Sequence, residues 1–218
     1  MSAGTNKSRG APAAPRPSDF RSTVFNLPNQ LTWMRLLLSV VMFCLLAFGR
    51  GWGMSDRVLY LASLALFSVA AGTDWLDGYF ARKYDLITTL GRILDPFADK
   101  VIICGTFIFL SDIDGSQVYP WMAVIVVGRE LLVTALRSYL EQQGADFSAT
   151  LSGKLKMVFQ CAAVVLSFYC LAEGAGTDAS RVPQWLNAAL VAGVWGAVLL
   201  TVVSGGAYVR TAITLLRA

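Results

Sequence analysis

The chain has 218 residues, of which 56% are hydrophobic and 15% charged, and its formal net charge is +4. A mean hydropathy of +0.57 lies well above that of soluble globular domains. The complete absence of histidine excludes serine–histidine and cysteine–histidine catalysis and histidine-ligated zinc. Chemistry in this chain must therefore use carboxylates, lysines, arginines or a bound metal ion.

The N-terminal segment, residues 1–20, is rich in alanine, proline and serine and carries Lys7, Arg9 and Arg16. It lacks the apolar run and the small-residue cleavage site of a secretory signal. We predict that it is a disordered tail. No linker follows it, so residues 21–218 are predicted to form one membrane domain.

Six apolar segments follow, and with flanking residues each is long enough to cross a bilayer as a helix. They are Leu31–Phe48, Val58–Ala81, Ile93–Leu110, Trp121–Tyr139, Met157–Ala172 and Trp185–Val209. Buried helices of a soluble protein are the alternative, but too few polar faces remain for that. We predict an all-α, polytopic membrane protein with six transmembrane helices.

The charges of the connecting segments predict the orientation in the membrane. Besides the tail, three places are basic: Arg82 and Lys83, Lys154 and Lys156, and Arg210 and Arg217. The segments between them are acidic, with the Arg50–Arg57 loop as the exception. By the positive-inside rule, both termini are cytoplasmic. The predicted location is the cell (inner) membrane.

Four aspartates flank the connection between the second and third predicted helices. Asp74 and Asp77 are three residues apart and share a helix face, and Asp95 and Asp99 are four apart and share another. A short connection makes the two helices antiparallel neighbours. Counted from their cytoplasmic ends, one aspartate of each pair lies about 8 Å deep and the other about 12–14 Å. The four carboxylates are therefore predicted to converge in the cytoplasmic half of the membrane.

Such a cluster of anions in lipid needs positive charge beside it. Oxygen ligands without histidine or cysteine suit Mg²⁺ or Mn²⁺, and two ions would fit a phosphoryl-transfer site. Gly78, Ala81 and Gly91 would then allow a bulky ligand to approach the backbone. Structural pairing of the aspartates with arginines and lysines is the alternative.

The spacing Asp74-x2-Asp77-Gly78-x2-Ala81-Arg82-x8-Gly91-x3-Asp95-x3-Asp99 resembles the signature of the CDP-alcohol phosphotransferases. The resemblance implies six transmembrane helices, a homodimer and two divalent metal ions. It also implies transfer of a phosphatidyl or similar group from a CDP-linked donor to an alcohol, with release of CMP. The first three aspartates would be metal ligands. Asp99 would lie near the metals and act as the general base.

Binding of the CDP group is assigned to residues in and around this motif. They are Thr32, Thr73, Asp77, Gly78, Ala81, Arg82 and Gly91. Thr32 shares one face of the first helix with Asn29 and Arg35. These three residues line the nucleotide site, or they cap and anchor the helix.

Four further stretches resemble the members of this family that use sn-glycerol 3-phosphate as acceptor and CDP-diacylglycerol as donor. They are NLPNQLTWMR, DPFADK, GRELLVTALRSYLEQQG and SGKLKMVFQ. Basic residues support a phosphorylated acceptor, because a phosphate benefits from several N–H donors. The residues assigned to the acceptor phosphate are Arg129, Lys154, Arg137 and Lys100. Pairing of Arg129 with Glu130 or Glu141, and anchoring of Lys154 and Lys156 to anionic lipid, are the alternatives.

Two other functions fit parts of the pattern. An enzyme of the same family could use inositol phosphate, serine or phosphatidylglycerol as acceptor. A cation or proton transporter also carries intramembrane carboxylates, but all four aspartates are predicted near one membrane face. Lipid and a second copy of the chain are the predicted partners, and nucleic acid is not.

Overall fold

The computed structural model describes residues 27–84, 89–142, 151–175 and 182–217. Within these ranges only the backbone is described at 27–29, 74–84, 89–93, 95, 141–142, 151–152, 154 and 215–217. The predicted tail therefore lies outside the described residues.

All regular structure in the described ranges is helical, as predicted, and there are six helices. They are α1 (Leu27–Phe48), α2 (Asp56–Tyr84), α3 (Thr89–Ser111), α4 (Pro120–Gln142), α5 (Leu151–Gly174) and α6 (Gln184–Arg217). Each of the six apolar segments falls inside one of them. Pro120 is the first residue of α4, a position at which its missing N–H removes no helical hydrogen bond.

Four of the described helices are long and apolar enough to cross a membrane: α1, α2, α5 and α6. α3 and α4 do not meet this criterion, because each contains too many charged residues. Every 18-residue window of α3 contains Asp95, Asp99 and Lys100, and every such window of α4 contains Arg129, Glu130 and Arg137. Six crossings therefore stay a prediction.

The helices pack around a common core. α1 lies against α2 and α3, α5 lies against α2 and α6, and α4 lies against α3 and α6. α2 and α3 also contact each other, as the short connection predicts. Phe67, Phe107 and Phe168 are among the largest fully buried side chains.

Glycines let helices approach closely at two of these contacts. A Cβ on Gly196 of α6 would lie 2.8 Å from the ring of Phe159 on α5. A Cβ on Gly105 of α3 would overlap the ring of Phe43 on α1. Small residues at contacts between helices are typical of membrane proteins, in which close van der Waals packing holds helices together.

Large apolar side chains cover much of the outer surface. Val124 and Val203 are each about two-thirds exposed or more, at 71% and 66%. Buried hydroxyls, by contrast, donate to carbonyl oxygens of their own helix, as Ser39, Ser63 and Thr201 do at 2.6–2.9 Å. An apolar exterior over internally satisfied polar groups is what a lipid environment requires.

Candidate active site

The four aspartates lie on the adjoining ends of α2 and α3. Asp74 and Asp77 belong to the last three turns of α2, and Asp95 and Asp99 belong to the first three turns of α3. The helical register gives each pair a common face. The side chains of Asp74, Asp77 and Asp95 are outside the described residues, so convergence of the four carboxylates stays a prediction.

Four residues assigned to CDP lie on these same turns. Gly78, Ala81 and Arg82 are on α2, and Gly91 is on α3. Their side chains are also outside the described part of the chain. The donor set that the motif offers is carboxylate oxygen, which fits Mg²⁺ or Mn²⁺ rather than a metal that prefers nitrogen or sulfur ligands.

The Asp99 side chain is described, and it forms an ion pair with Arg35 of α1. Arg35 Nη1 donates to Asp99 Oδ1. The Arg35 side chain is 1% exposed, whereas that of Asp99 is 32% exposed. A buried guanidinium therefore offsets one of the four negative charges and fixes the orientation of the Asp99 carboxylate relative to α1.

Both threonines assigned to the nucleotide site are buried. Thr32 lies one turn before Arg35 on the same face of α1 and is fully buried. Thr73 precedes Asp74 on α2, and its hydroxyl donates to the carbonyl oxygen of Ala70 at 2.7 Å. Thr32 thus lies on the α1 face that reaches Asp99, as a role near the site requires.

A second charged cluster joins α4 to α5. Glu130 Oε1 accepts a hydrogen bond from Lys156 Nζ and another, at 3.3 Å, from Nη1 of its neighbour Arg129. All three side chains are about nine-tenths buried. Two cations and one carboxylate give the cluster a formal net charge of +1.

The guanidinium of Arg129 continues this cluster to α6. Its Nη2 donates to Ser204 Oγ at 2.9 Å, and its Cζ lies 5.6 Å from the ring centroid of Tyr208. The buried Nε finds no hydrogen-bond partner among the described residues. Arg129 is therefore held between α4 and α6. It also pairs with Glu130 within α4, which is one of the alternatives that the sequence left open.

The other basic residues assigned to the acceptor phosphate lie elsewhere or are not described. Lys100 Nζ donates to the carbonyl oxygen of Pro96 at 3.1 Å, within its own helix. Arg137 is exposed two turns beyond Arg129 on α4. The Lys154 side chain lies outside the described residues, two positions before the buried Lys156.

Sequence reasoning missed three partnerships between helices: Arg35 with Asp99, Lys156 with Glu130, and Arg129 with Ser204. For Lys156 one signal was present, because Glu130 is a carboxylate inside an apolar segment and such a carboxylate needs a cation beside it. The pairing of Arg35 with Asp99 joins residues 64 apart in sequence, and no local pattern predicts it.

Comparison with known proteins adds an independent observation. The model of a family described as CDP-alcohol phosphatidyltransferase matches residues 25–204, which is most of the chain. The chain belongs to this family. The matched segment contains the whole aspartate motif and the cluster of Arg129, Glu130 and Lys156.

Several curated proteins resemble this member of the CDP-alcohol phosphatidyltransferase family over most of its length. CDP-diacylglycerol--glycerol-3-phosphate 3-phosphatidyltransferase of Bacillus subtilis is 36% identical over 191 residues, covering 85% of this chain and 94% of the relative. The "Probable phosphatidylglycerophosphate synthase" of Mycobacterium tuberculosis is 34% identical over 215 residues, covering 98% and 95%. A relative from Arabidopsis thaliana, CDP-diacylglycerol--glycerol-3-phosphate 3-phosphatidyltransferase 2, is 30% identical over 172 residues, covering 73% and 71%.

In this CDP-alcohol phosphatidyltransferase, a cavity of about 890 Å³ lies away from the aspartate motif. It opens among the α1–α2, α3–α4 and α5–α6 connections and is lined by Arg50, Asp56 and Tyr60. Tyr60 is about 21 Å from Asp74 along α2. The cavity is therefore at the other end of the bundle and is not the predicted active site.

The two arginines that break the positive-inside pattern are also at this end, and each has an acidic partner. Arg50 Nε donates to Asp56 Oδ1 at 2.7 Å, and Arg57 Nη2 lies 3.6 Å from Glu173 Oε1. The hydrogen bond with Asp56 raises the pKa of Arg50 above its ordinary value. Arg50 and Arg57, the exception to the positive-inside pattern, are therefore paired with acidic residues and do not form a free basic patch.

Proposed function

We propose that this protein transfers a phosphatidyl group from CDP-diacylglycerol to sn-glycerol 3-phosphate, forming phosphatidylglycerophosphate and CMP. The observation that carries the proposal is the aspartate motif on the adjoining ends of α2 and α3, within a chain of the CDP-alcohol phosphatidyltransferase family. The names of the relatives from Bacillus subtilis and Arabidopsis thaliana support this donor and this acceptor.

The proposed metal site comprises Asp74, Asp77, Asp95 and Asp99. When bound, two divalent ions, Mg²⁺ or Mn²⁺, supply positive charge that offsets the charge of the diphosphate. The small residues Gly78, Ala81 and Gly91, together with Arg82, Thr32 and Thr73, would form the site of the CDP group. A backbone without bulky side chains suits this role because a diphosphate must come close to it.

The reaction is a displacement at phosphorus. The hydroxyl oxygen of the acceptor forms a bond to the phosphatidyl phosphorus, the bond from that phosphorus to the CMP oxygen breaks, and CMP leaves with the electron pair. Asp99 takes the hydroxyl proton as general base. The contact with Arg35 holds the Asp99 carboxylate in a fixed orientation for this transfer.

The acceptor is proposed to bind through its own phosphate. Arg129 and Lys154 are the main ligands in this proposal, with Arg137 and Lys100 as further contacts. The buried cluster around Arg129 supports this assignment because its net charge of +1 favours one more anion. A neutral acceptor such as serine gains nothing from that charge.

The proposed arrangement in the membrane follows the charges of the sequence. Six helices cross the cell (inner) membrane, both termini are cytoplasmic, and the aspartate motif opens to the cytoplasm. Residues 21–218 would form the membrane domain after a disordered tail of residues 1–20, and the enzyme would act as a homodimer. The apolar exterior of the described helices supports the membrane setting.

The test is CMP release by the purified protein, given CDP-diacylglycerol and Mg²⁺, with acceptors offered one at a time. We expect release with sn-glycerol 3-phosphate and none with serine, inositol phosphate or phosphatidylglycerol. Release with one of those three instead would show that the proposed acceptor is wrong, whereas the proposed donor would stand. No release with any of the four would overturn the proposed reaction.

A further inference from the structure

We infer that Ser204 and Gly205 of α6 are positioning residues that hold Arg129 for the phosphate of the acceptor. The inference rests on the proposed function, because it concerns how the same acceptor is recognised. Gly205 lies just beyond the segment matched by the family model, which ends at Ser204.

The Arg129 side chain is held in place by contacts on both α4 and α6. Its guanidinium contacts Glu130 at 3.3 Å and Ser204 Oγ at 2.9 Å, and it lies over the ring of Tyr208. A free arginine side chain loses rotamer entropy when it is fixed on binding. Holding the side chain from α4 and α6 in advance removes most of that loss, so a phosphate meets a preorganised ligand.

Gly205 makes this position of Arg129 possible. A Cβ built on Gly205 would lie 2.9 Å from Cγ of Arg129, 3.6 Å from its Nε and 3.9 Å from its Cδ. The aliphatic part of Arg129 therefore lies directly against the backbone of α6. On the adjacent Gly206 a Cβ would meet no atom within 4 Å.

The charges and donors of the cluster indicate what Arg129 is held for. Arg129 and Lys156 carry two positive charges and Glu130 carries one negative charge, all about nine-tenths buried. A net charge that is shielded from water is unfavourable until a counter-ion joins it. The buried Nε of Arg129 also has no hydrogen-bond partner among the described residues, and an unsatisfied buried donor is destabilising. A phosphate bound to the guanidinium would offset the buried net charge and would accept a hydrogen bond from Nε.

The two adjacent glycines provide a matched pair of variants, Gly205→Ala and Gly206→Ala. Both replace a glycine of α6 by alanine, and only the first displaces Arg129. We expect Gly205→Ala to raise KM for sn-glycerol 3-phosphate at least about tenfold, because a small displacement of a residue that binds the substrate weakens binding strongly. KM for CDP-diacylglycerol should change by less than about twofold, and Gly206→Ala should change neither constant.

A second pair tests the same idea without added volume, in case Gly205→Ala does not fold. Ser204→Ala removes the hydroxyl that accepts from Arg129, and Ser63→Ala removes a buried hydroxyl of α2 that donates to Leu59 at 2.9 Å. We expect Ser204→Ala, and not Ser63→Ala, to raise KM for the acceptor roughly tenfold, since hydrogen bonds to charged groups are the stronger ones. The acceptor alone should raise Tm less in Gly205→Ala than in Gly206→Ala, and less in Ser204→Ala than in Ser63→Ala.

The outcomes separate this inference from the proposed function. If the wild-type protein releases no CMP with sn-glycerol 3-phosphate, the proposed acceptor is wrong, and this inference falls with it. If the wild type is active and Ser204→Ala and Gly205→Ala raise KM for donor and acceptor equally, or match their controls, the positioning role is wrong and the proposed function stands.

Discussion

At the scale of single residues, a buried arginine, glutamate and lysine define the junction of α4 and α5. Glu130 shares one carboxylate oxygen between Arg129 and Lys156. Removing one partner from such a group leaves a buried charge uncompensated, which is far more costly than losing an exposed pair. The cluster should therefore respond strongly to any change of its charge.

Glu130→Gln is expected to lower the free energy of unfolding by roughly 3 kcal/mol. The formal net charge of the cluster rises from +1 to +2, so sn-glycerol 3-phosphate should raise Tm more in this variant than in the wild type. Thermal unfolding in detergent, with and without the acceptor, measures both effects. Glu173→Gln is the control, because the Glu173 side chain is paired with Arg57 and is 38% exposed, far more than that of Glu130. Equal Tm values for the two variants would contradict the prediction.

Asp77→Asn and Asp95→Asn are each expected to reduce CMP release roughly 100-fold or more, because preorganised charge at the reacting group is lost. Both variants should still fold and insert into membranes. Asp112→Asn, which changes an exposed residue at the end of α3, should retain full activity. Substantial Mg²⁺-dependent turnover in both active-site variants would refute the two-metal proposal.

At the scale of elements, α1 and α3 are joined at both ends of their contact. Arg35 and Asp99 pair at one end, and Phe43 stacks on Phe109 at the other, with ring centroids 5.3 Å apart. Gly105 lies between Asp99 and Phe109 on α3 and accommodates the Phe43 ring. The orientation of Asp99 thus depends on the packing of a helix that carries none of the motif.

A double-mutant cycle on Arg35→Ala and Asp99→Ala is expected to give a coupling free energy of about 1–3 kcal/mol in unfolding experiments. The exposed pair Arg50–Asp56 provides the comparison, with a coupling below about 1 kcal/mol. A coupling for Arg35–Asp99 no larger than this would mean that the ion pair does not hold α1 to α3.

At the scale of the whole molecule, six membrane crossings require that the charged helices α3 and α4 both span the bilayer. If α3 and α4 both cross, the α3–α4 connection lies outside the cell; if neither crosses, it stays in the cytoplasm. Charged residues on these two helices make their insertion less favourable. Packing of the bundle buries the Arg129 and Glu130 side chains of α4, which are only 10% and 11% exposed, and so offsets part of that cost.

Labelling of a single introduced cysteine distinguishes the two arrangements. With the native cysteines replaced by alanine, Asp114→Cys in the α3–α4 connection should react with a membrane-impermeant thiol reagent added to intact cells. Arg210→Cys, near the end of α6, should react only after the membrane is opened. Protection of Asp114→Cys in intact cells would rule out six crossings with cytoplasmic termini. The native cysteines are Cys44, Cys104, Cys161 and Cys170.

The order of the residues is enough to predict the helical fold, the membrane setting and the family. Helix positions follow from the length of apolar runs, which is a local property, and all six apolar segments lie inside the observed helices. The aspartate motif is local too, because helical periodicity places residues three or four apart on one face. The aspartate motif can therefore be predicted from the order of the residues alone.

Which charged residues pair with one another depends on the packing of the helices. Lys100, Lys154 and Lys156 look alike in sequence, yet Lys156 is buried against Glu130 while Lys100 bonds to its own helix. The partners of Asp99 and Arg129 are 64 and 75 residues away in the chain. Such pairs depend on how helices pack and rotate, which is set by contacts summed over whole interfaces and is not encoded in any single stretch of sequence.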